Sequence, residues 1–259
     1  MKIVEHISYS GLKVWKECPF KFKLNYIDGV AKFQGNIFTA FGSAIHEVCE
    51  KHLKNESKQE DAITIFKEAF KREYDALPPH TQQEHTEEKY KEMEEQGIQL
   101  APFAIPALHQ KFPNHTIISS EEMLYEPIGE QNIKFKGFVD LLLKHNGQYY
   151  VIDWKTCSWG WDRRKKTDPL VAAQLQLYKH FIAKKHNIDP KSIKTLFALL
   201  KRTAKKNKVE FLEVISGRNK SKNALELLDK ALFFLNKGFY PKNRMSCLKC
   251  EVKGTKFCP

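Results

Sequence analysis

The chain has 259 residues, of which 42% are hydrophobic, and it contains only 12 Gly and 11 Pro. This composition excludes collagen-like and broadly disordered chains, and no apolar run approaches the roughly 20 residues that cross a bilayer. Lys and Arg outnumber Asp and Glu by 43 to 31, and the resulting charge of +12 favours a polyanionic partner, although a basic protein that binds no nucleic acid fits the charge equally well. Because the N-terminus lacks the apolar segment of a secretory signal, we expect a cytoplasmic protein with reduced cysteines.

The first 112 residues are predicted to be mainly helical, because their apolar residues recur at helical spacing. The predicted helices span residues 8–26, 42–53, 61–77 and 86–112. Ser8 or Ser10 supplies the cap of the first helix. Pro102 and Pro106 must kink or interrupt the last one. The acidic stretch at 84–95 is a solvated face that keeps DNA away from that side.

After residue 112 the pattern changes to short apolar or alternating runs, which predict strands. The predicted strands span 117–125, 133–143, 148–154, 194–201 and 209–215, and predicted helices span 169–185 and 221–237. Asn146-Gly147 is a hairpin signal between two strands, and Asp168 followed by Pro169 is a helix start. The order indicates one α/β domain over 1–259, with a mainly helical portion (1–112), a core (113–244) and a cysteine-rich tail (245–259).

Two acidic residues and a lysine stand out in the predicted strands. Asp140 lies in an apolar run, and Asp153 and Lys155 flank Trp154 on the next strand. Side chains alternate along a strand, so Asp153 and Lys155 share one face, and the hairpin brings Asp140 beside them. Paired carboxylates suit Mg²⁺ or Mn²⁺, and a nearby lysine orients water and offsets charge on a phosphate. Taken alone, the pattern also fits a plain Asp–Lys ion pair.

Three further residues accompany this set in chain order. His46 precedes it, and Gln174 and Tyr178 follow it on one helix face. Taken alone, His46 and Tyr178 also fit ordinary packing roles. The complete set resembles the RecB-like branch of the PD-(D/E)XK nuclease superfamily. The matching motifs are Gly42…His46, Gly137-x-x-Asp140, Asp153-x-Lys155 and Gln174-x-x-x-Tyr178.

The resemblance implies a restriction-endonuclease-like core, with a mixed sheet flanked by helices. It implies that Mg²⁺ or Mn²⁺ is bound by His46, Asp140, Asp153 and the backbone carbonyl of Trp154. Lys155 is then the catalytic lysine, while Gln174 and Tyr178 support it or contact DNA. An imidazole ligand favours Mn²⁺ over Mg²⁺. Glu121 or Glu122, on the preceding strand, is a further candidate.

The chain has six cysteines, and three of them lie within the tail. The three are Cys247, Cys250 and Cys258. Cys18 is the obvious fourth ligand of a metal site, while Cys49 and Cys157 fit ordinary buried thiols better. Spacing alone does not separate zinc from an iron–sulfur cluster. The iron–sulfur branch of RecB-like nucleases, which includes CRISPR-associated adaptation nucleases and some helicase–nuclease subunits, carries a 4Fe–4S cluster on one N-terminal and three C-terminal cysteines. The resemblance therefore implies a 4Fe–4S cluster on these four thiols, although the gap before Cys258 is longer than the family's usual spacing.

A basic segment follows the acidic set. It consists of Arg163, Arg164, Lys165 and Lys166. We expect a loop here that grips phosphates, with Trp159 and Trp161 beside it to stack a base.

Together these features predict a metal-dependent deoxyribonuclease that hydrolyses phosphodiester bonds in single-stranded DNA or at duplex ends. The resemblance favours an exonuclease, and it suggests a helicase, recombination or integrase partner and no membrane. Two alternatives remain open: a CRISPR-adaptation nuclease that trims DNA with integrase partners, and a non-catalytic nucleic-acid-binding module. A zinc-ribbon binding protein is a third reading, which rests on the tail alone.

Overall fold

The computed structural model describes residues 4–30, 34–215 and 218–259. Its helical part, in chain order, comprises α1 (Tyr9–Glu17), α2 (Pro19–Phe22), α3 (Ile37–Leu53), α4 (Ala62–Asp75), α5 (Pro79–Gln83), α6 (Glu87–Leu100), α7 (Ala104–Lys111), α8 (Arg163–Thr167), α9 (Pro169–Lys185) and α10 (Arg218–Asn236). The strands are β1 (His6–Ser8), β2 (Thr116–Pro127), β3 (Lys134–His145), β4 (Gln148–Cys157), β5 (Ile193–Lys201) and β6 (Val209–Glu213). Among the described residues, no helix combines the length and apolar character that crossing a bilayer requires.

The six strands form one mixed sheet, as the sequence predicts. The long strand β3 pairs along one edge with β2 and along its other edge with two strands in succession. On that second edge β1 pairs as far as Lys136, and β4 pairs from Leu141 onward. Between these two pairings no strand of the described residues pairs with that edge of β3, and this gap contains Asp140. β4 then crosses through α8 and α9 to the parallel strand β5, which pairs with antiparallel β6.

Helices cover both faces of the sheet and give it two apolar cores. One core joins α1, α9 and α10 to the sheet, and the other joins α3, α4, α6 and α7 to it. Val139 and Leu142 point into the first core, whereas Leu141 and Leu143 point into the second. Side chains two apart on a regular strand share a face, so the opposite burial of Val139 and Leu141 marks a break in the alternation at Asp140.

Several predicted elements are confirmed. The β3–β4 hairpin turns at Asn146 and Gly147, both of which have positive φ (48° and 77°) as a type I′ turn requires. The Asp168 side chain accepts a hydrogen bond from the backbone N–H of Leu170 and caps α9. The predicted helix at 86–112 is interrupted, as expected, by a 3₁₀ turn around Pro102 that separates α6 from α7.

Two N-terminal predictions are wrong. A continuous first helix to residue 26 does not form, because Cys18 is extended (φ −158°) and α1 ends at Glu17. The residue before a proline is driven out of the helical region, and Pro19 then begins a new helix. The helix predicted from residue 42 begins at Ile37, because Asn36 caps it through the backbone N–H groups of Phe38 and Thr39. The short strand β1 is not predicted at all.

Gly97 of α6 allows this helix to pack closely against Phe66 of α4. A side chain at position 97 is therefore expected to lower the stability of the protein. A Cβ at this position would lie 1.8 Å from Cζ of the buried Phe66 ring. Alanine in a helix interior normally stabilises relative to glycine by about 1 kcal/mol, but such overlap costs about 1–3 kcal/mol or more. We expect Gly97→Ala to lower the free energy of unfolding, measured by urea denaturation. The matched control is Gly42→Ala in α3, where the nearest atom is 3.5 Å from the added Cβ. Equal stabilities for the two variants would contradict this packing.

Candidate active site

The gap along β3 is where the acidic residues meet. The β3–β4 pairing ends at Leu141 opposite Ile152, so Asp140 and Asp153 come next on the two diverging strands. In place of a backbone hydrogen bond, Oδ2 of Asp140 accepts one from the N–H of Trp154 at 2.7 Å. The Asp140 side chain is thereby fixed between the strands, and it is buried.

His46 of α3 reaches the same point from the second core. Its Nε2–H donates to the carbonyl oxygen of Trp154 at 2.9 Å, and its Nδ1 lies 3.6 Å from Oδ2 of Asp140. Burial lowers the pKa of His46, although the nearby Asp153 carboxylate opposes that effect. A neutral imidazole is the form that binds a metal ion.

Glu121 of β2 completes this cluster. It lies opposite Asp140, and ligand atoms of His46, Glu121 and Asp140 all lie within 4.8 Å of one another. Glu121 has a left-handed backbone (φ 51°), which is a strained conformation for a glutamate within a strand. Burial raises its pKa, and the charge of Glu50 adds to the effect. Of the two glutamates considered from the sequence, Glu121 is therefore the one that reaches the site.

Glu122 points to the opposite face of the sheet, where it binds the end of α9. Its carboxylate lies 2.7 Å from Nζ of Lys185 and 2.8 Å from Nε2 of His186. This pairing ties β2 to α9 and takes Glu122 away from the cluster.

Asp153 is held by the lysine and the glutamine that accompany it in sequence. Nζ of Lys155 lies 2.5 Å from Oδ2 of Asp153, and Nε2 of Gln174 donates to Oδ1 at 2.7 Å. Nε2 of Gln174 also lies 3.4 Å from the Tyr178 hydroxyl, so α9 presents both residues to the site. The Tyr178 ring packs against Gly137, which has no side chain. A Cβ at position 137 would lie only 2.8 Å from Cε1 of the ring, so a larger residue would displace Tyr178. The predicted residues thus lie together, with Asp153 beside the His46–Glu121–Asp140 cluster.

The electrostatics of the site favour a bound cation. Burial raises the pKa of Asp140 well above its usual range, and the charge of Asp153 raises it further. Burial alone would lower the pKa of Lys155, but the carboxylates of Asp153 and Asp140 outweigh it and raise the pKa. Among the described residues of the site, Lys155 is thus set against three carboxylates, those of Asp140, Asp153 and Glu121. Carboxylates, an imidazole and the Trp154 carbonyl are donors that Mn²⁺ and Mg²⁺ accept, so the residues present fit a divalent ion.

The basic segment differs from its prediction. Arg163, Arg164, Lys165 and Lys166 belong to the short helix α8, not to a loop, because Asp162 caps the backbone N–H of Lys165. Lys166 pairs with Glu210 at 2.7 Å, and Nζ of Lys165 lies 4.5 Å from the centre of the Trp161 ring.

Trp161 itself is buried against Phe197, so it is not free to stack on a base, whereas Trp159 is 77% exposed. Arg163 and Arg164 are exposed, and no carboxylate within the described residues pairs with either of them.

The tail cysteines and Cys18 share a second candidate site. Together with basic side chains that include Lys21, Lys242 and Arg244, the four thiols line one cavity of about 420 Å³. They are Cys18, Cys247, Cys250 and Cys258. The tail is held against the N-terminus, since Asn243 donates its backbone N–H to Sγ of Cys18 at 3.4 Å and its side-chain amide to the Glu17 carbonyl at 2.7 Å. Cys49 and Cys157 lie elsewhere and do not line the cavity.

This cavity is wide for a single ion. Among the described residues, no three cysteine sulfurs lie within 4.8 Å of one another. A tetrahedral zinc site needs sulfurs about 3.8 Å apart, given the roughly 2.3 Å Zn–S bond. An iron–sulfur cubane binds each thiolate to a different iron, so it holds the four sulfurs farther apart. The four thiols and the basic lining are donors and counter-charges that fit a metal centre bound by thiolates.

Comparison with protein families identifies the superfamily of the chain. A family model of the PD-(D/E)XK nuclease superfamily matches residues 6–259. The chain belongs to this superfamily. Superfamily membership supports a hydrolytic nuclease. No curated protein matches the chain.

Among solved structures, the crystal structure of a "putative exonuclease" from Eubacterium rectale is similar in fold. It is 12% identical, the match covers 96% of this chain and 86% of that one, and the TM-score is 0.61. A second structure, SSO0001, is 14% identical over 83% of this chain and 84% of that one, with a TM-score of 0.33. At 12% identity, the similarity to the Eubacterium rectale structure supports a shared fold alone.

Proposed function

We propose that this protein is a metal-dependent deoxyribonuclease that acts as an exonuclease on single-stranded DNA or at duplex ends. The observation that carries the proposal is the cluster of His46, Glu121 and Asp140 in the β3–β4 gap, beside the Asp153–Lys155 pair. The intact acidic set argues against a non-catalytic DNA-binding module, because a binding module has no need for buried carboxylates beside a lysine.

The residues of the site take the following roles. His46, Asp140, Asp153 and the Trp154 carbonyl bind Mg²⁺ or Mn²⁺, with Glu121 as a further ligand or as a base for the attacking water. When bound, the ion polarises a phosphoryl oxygen and lowers the pKa of a water molecule. Lys155 orients the attacking water and offsets negative charge that develops on the phosphate. Gln174 fixes the Asp153 carboxylate, and Tyr178 fixes Gln174.

DNA contacts are assigned to the basic helix α8. Within the described residues Arg163 and Arg164 are exposed and pair with no carboxylate, whereas Lys166 pairs with Glu210 and Nζ of Lys165 lies over the Trp161 ring. Because a guanidinium can also bind a phosphate through two hydrogen bonds, we expect the two arginines to bind phosphates more strongly than the two lysines do. Trp159, beside this helix, is the exposed aromatic side chain that stacks on a base. A helicase, recombination or integrase partner remains part of the proposal, and co-purification from the native cell tests it.

The test of the activity compares linear and circular DNA. Purified protein is incubated with end-labelled linear single strands, closed circular single strands and blunt duplexes, each with Mg²⁺, Mn²⁺ or EDTA. We expect mononucleotides or short products from the linear DNA, no cleavage of the circle, and no activity in EDTA. Cleavage of the closed circle would contradict the exonuclease assignment, and equal cleavage in EDTA would contradict the metal requirement.

We also propose that the four-thiol cavity holds a 4Fe–4S cluster rather than zinc. The cluster joins the α1–α2 junction to the tail and so connects the two ends of the chain. The basic side chains around the cavity offset the negative charge of thiolates and cluster. We assign the cluster a structural role.

The cluster proposal predicts a loss of iron in one cysteine variant. Protein purified without oxygen should contain about four iron atoms per chain and absorb visible light. Cys247→Ser should lose most of the iron and the absorbance, and its thermal unfolding temperature should fall because the tail is released. Cys157→Ser is the matched control, since this half-buried thiol does not line the cavity. A colourless, zinc-loaded wild type, or Cys247→Ser with its full iron content, would contradict the proposal.

A further inference from the structure

One face of the β2–β3 pair is open to solvent beside the His46–Glu121–Asp140 cluster. On this face Met123 lies opposite Phe138, and Tyr125 lies opposite Lys136. The side chains of Met123, Phe138 and Tyr125 are 52%, 46% and 36% exposed. We call this surface the open face, and its residues are Met123, Tyr125, Lys134, Lys136 and Phe138. Three large apolar side chains in a row on solvent-exposed strands indicate a binding surface.

The open face leads directly to the candidate active site. Phe138 precedes Asp140 by two residues on β3, and Met123 follows Glu121 by two residues on β2. Residues two apart on a strand are separated by about 6.8 Å and share a face. Both strands are irregular at Glu121 and Asp140, but these two side chains meet His46 of α3 on the face of the sheet opposite the core that contains Leu124 and Val139. Met123 and Phe138 lie on that same face, so the open face ends at the His46–Glu121–Asp140 cluster. The backs of these strands are buried, because Leu124 and Val139 pack into the core beneath α9.

The chemistry of the open face fits nucleic acid bases and phosphates. Nζ of Lys134 lies 4.7 Å from the centre of the Tyr125 ring, and the His6 ring meets Tyr125 edge-on at 6.0 Å. Exposed aromatic rings alternating with lysines are the composition of surfaces that bind single strands, where bases stack and lysines contact phosphates. A duplex keeps its base faces covered, so such a surface discriminates in favour of unpaired strands.

We propose that the open face is a stacking platform for single-stranded DNA. It binds the strand so that the scissile phosphate lies at the His46–Glu121–Asp140 cluster. One base stacks on Phe138 against Met123, and the next base stacks on Tyr125. Lys134 and Lys136 contact the phosphates of these nucleotides. This inference rests on the proposed nuclease function and narrows its substrate to a strand with at least two unpaired nucleotides beside the scissile bond.

Binding measured without catalysis tests the platform. In a Lys155→Ala background and EDTA, the fluorescence anisotropy of a labelled thymidine oligonucleotide reports affinity. The double variant Tyr125→Ala/Phe138→Ala should bind at least about 30-fold more weakly, as loss of two stacked bases predicts, while binding to a blunt duplex changes much less. Phe138→Trp should retain single-strand affinity. The matched control is Phe233→Ala on α10, an aromatic ring that is 56% exposed with Lys237 4.3 Å from its centre, and it should bind as the parent does.

Three outcomes would overturn the platform. The first is unchanged single-strand affinity in the double variant, and the second is an equal loss of duplex affinity. The third is a dimeric parent protein that the double variant converts to monomers without a change in DNA affinity, because the face would then bind a second copy of this chain. Failure of the proposed function is distinguishable: the otherwise wild-type protein would not cleave DNA, while the Tyr125 and Phe138 substitutions would still weaken single-strand binding.

Discussion

Replacing Lys155 with alanine is expected to slow DNA cleavage by about 100-fold or more, since loss of one positioned donor to developing charge typically has this effect. The Nζ group contacts the Asp153 carboxylate at 2.5 Å, and circular dichroism with Mn²⁺ present checks that the variant folds. Single-turnover cleavage of linear single-stranded DNA in Mn²⁺ measures the effect. Affinity for Mn²⁺ should be retained, because the proposed ligands all remain.

A second lysine provides a closely matched control for this variant. Lys185 pairs with Glu122 at 2.7 Å, and its side chain is 34% exposed, against 33% for Lys155. Lys185→Ala removes an equivalent ion pair on the far face of the sheet and should leave the cleavage rate near that of the wild type. If the two variants lose activity equally, Lys155 has no special role in the reaction.

Asp140→Asn is expected to have opposite effects on activity and on stability. Loss of a charged ligand should reduce cleavage by about 1000-fold, equivalent to several kcal/mol of transition-state stabilisation. The asparagine oxygen can still accept the hydrogen bond from the Trp154 N–H, so the fold is retained. In metal-free protein at neutral pH, however, the variant should unfold at a higher temperature than the wild type, because burial and the charge of Asp153 raise the pKa of Asp140 and make its ionised form unfavourable.

The sign of the pH dependence follows from the raised pKa of Asp140. Between the unfolded pKa of about 3.9 and the higher pKa of the folded state, the native protein binds more protons than the unfolded chain at this residue. The contribution of Asp140 to stability therefore falls as pH rises through this window, and the full penalty remains above it. The stability advantage of Asp140→Asn should shrink as the pH is lowered toward about 4. An advantage that is constant with pH, measured by calorimetry in EDTA, would contradict the raised pKa.

The sequence predicted most of the sheet because its patterns are local. The Asn146-Gly147 turn and the Asp168-Pro169 helix start are both satisfied by neighbouring residues, and both form as predicted. The break at Cys18 was also encoded locally, by Pro19, but helical spacing across it concealed the signal. Strand β1 is only three residues long and pairs with β3 across more than 120 residues, so no local pattern could indicate it.

The sequence predicts which residues form the candidate site, but it does not predict how their side chains are arranged. The order of the motifs in the sequence predicts Asp140, Asp153 and Lys155 as site residues. The position of Asp140 against the Trp154 N–H depends instead on where the β1 and β4 pairings end along β3, which no local pattern encodes. The choice between Glu121 and Glu122 likewise depends on a single positive φ angle within β2. The open face has no sequence signal of its own, because alternating residues in β2 and β3 look the same whether a helix covers them or not.

Anomalous diffraction from crystals of Lys155→Ala grown with Mn²⁺ and a short single strand tests the central claim most directly. We expect a manganese peak in the β3–β4 gap, bound by His46, Asp140, Asp153 and the Trp154 carbonyl, with a phosphate of the strand beside it. A manganese peak elsewhere, or a strand bound away from this gap, would contradict the assignment of the active site.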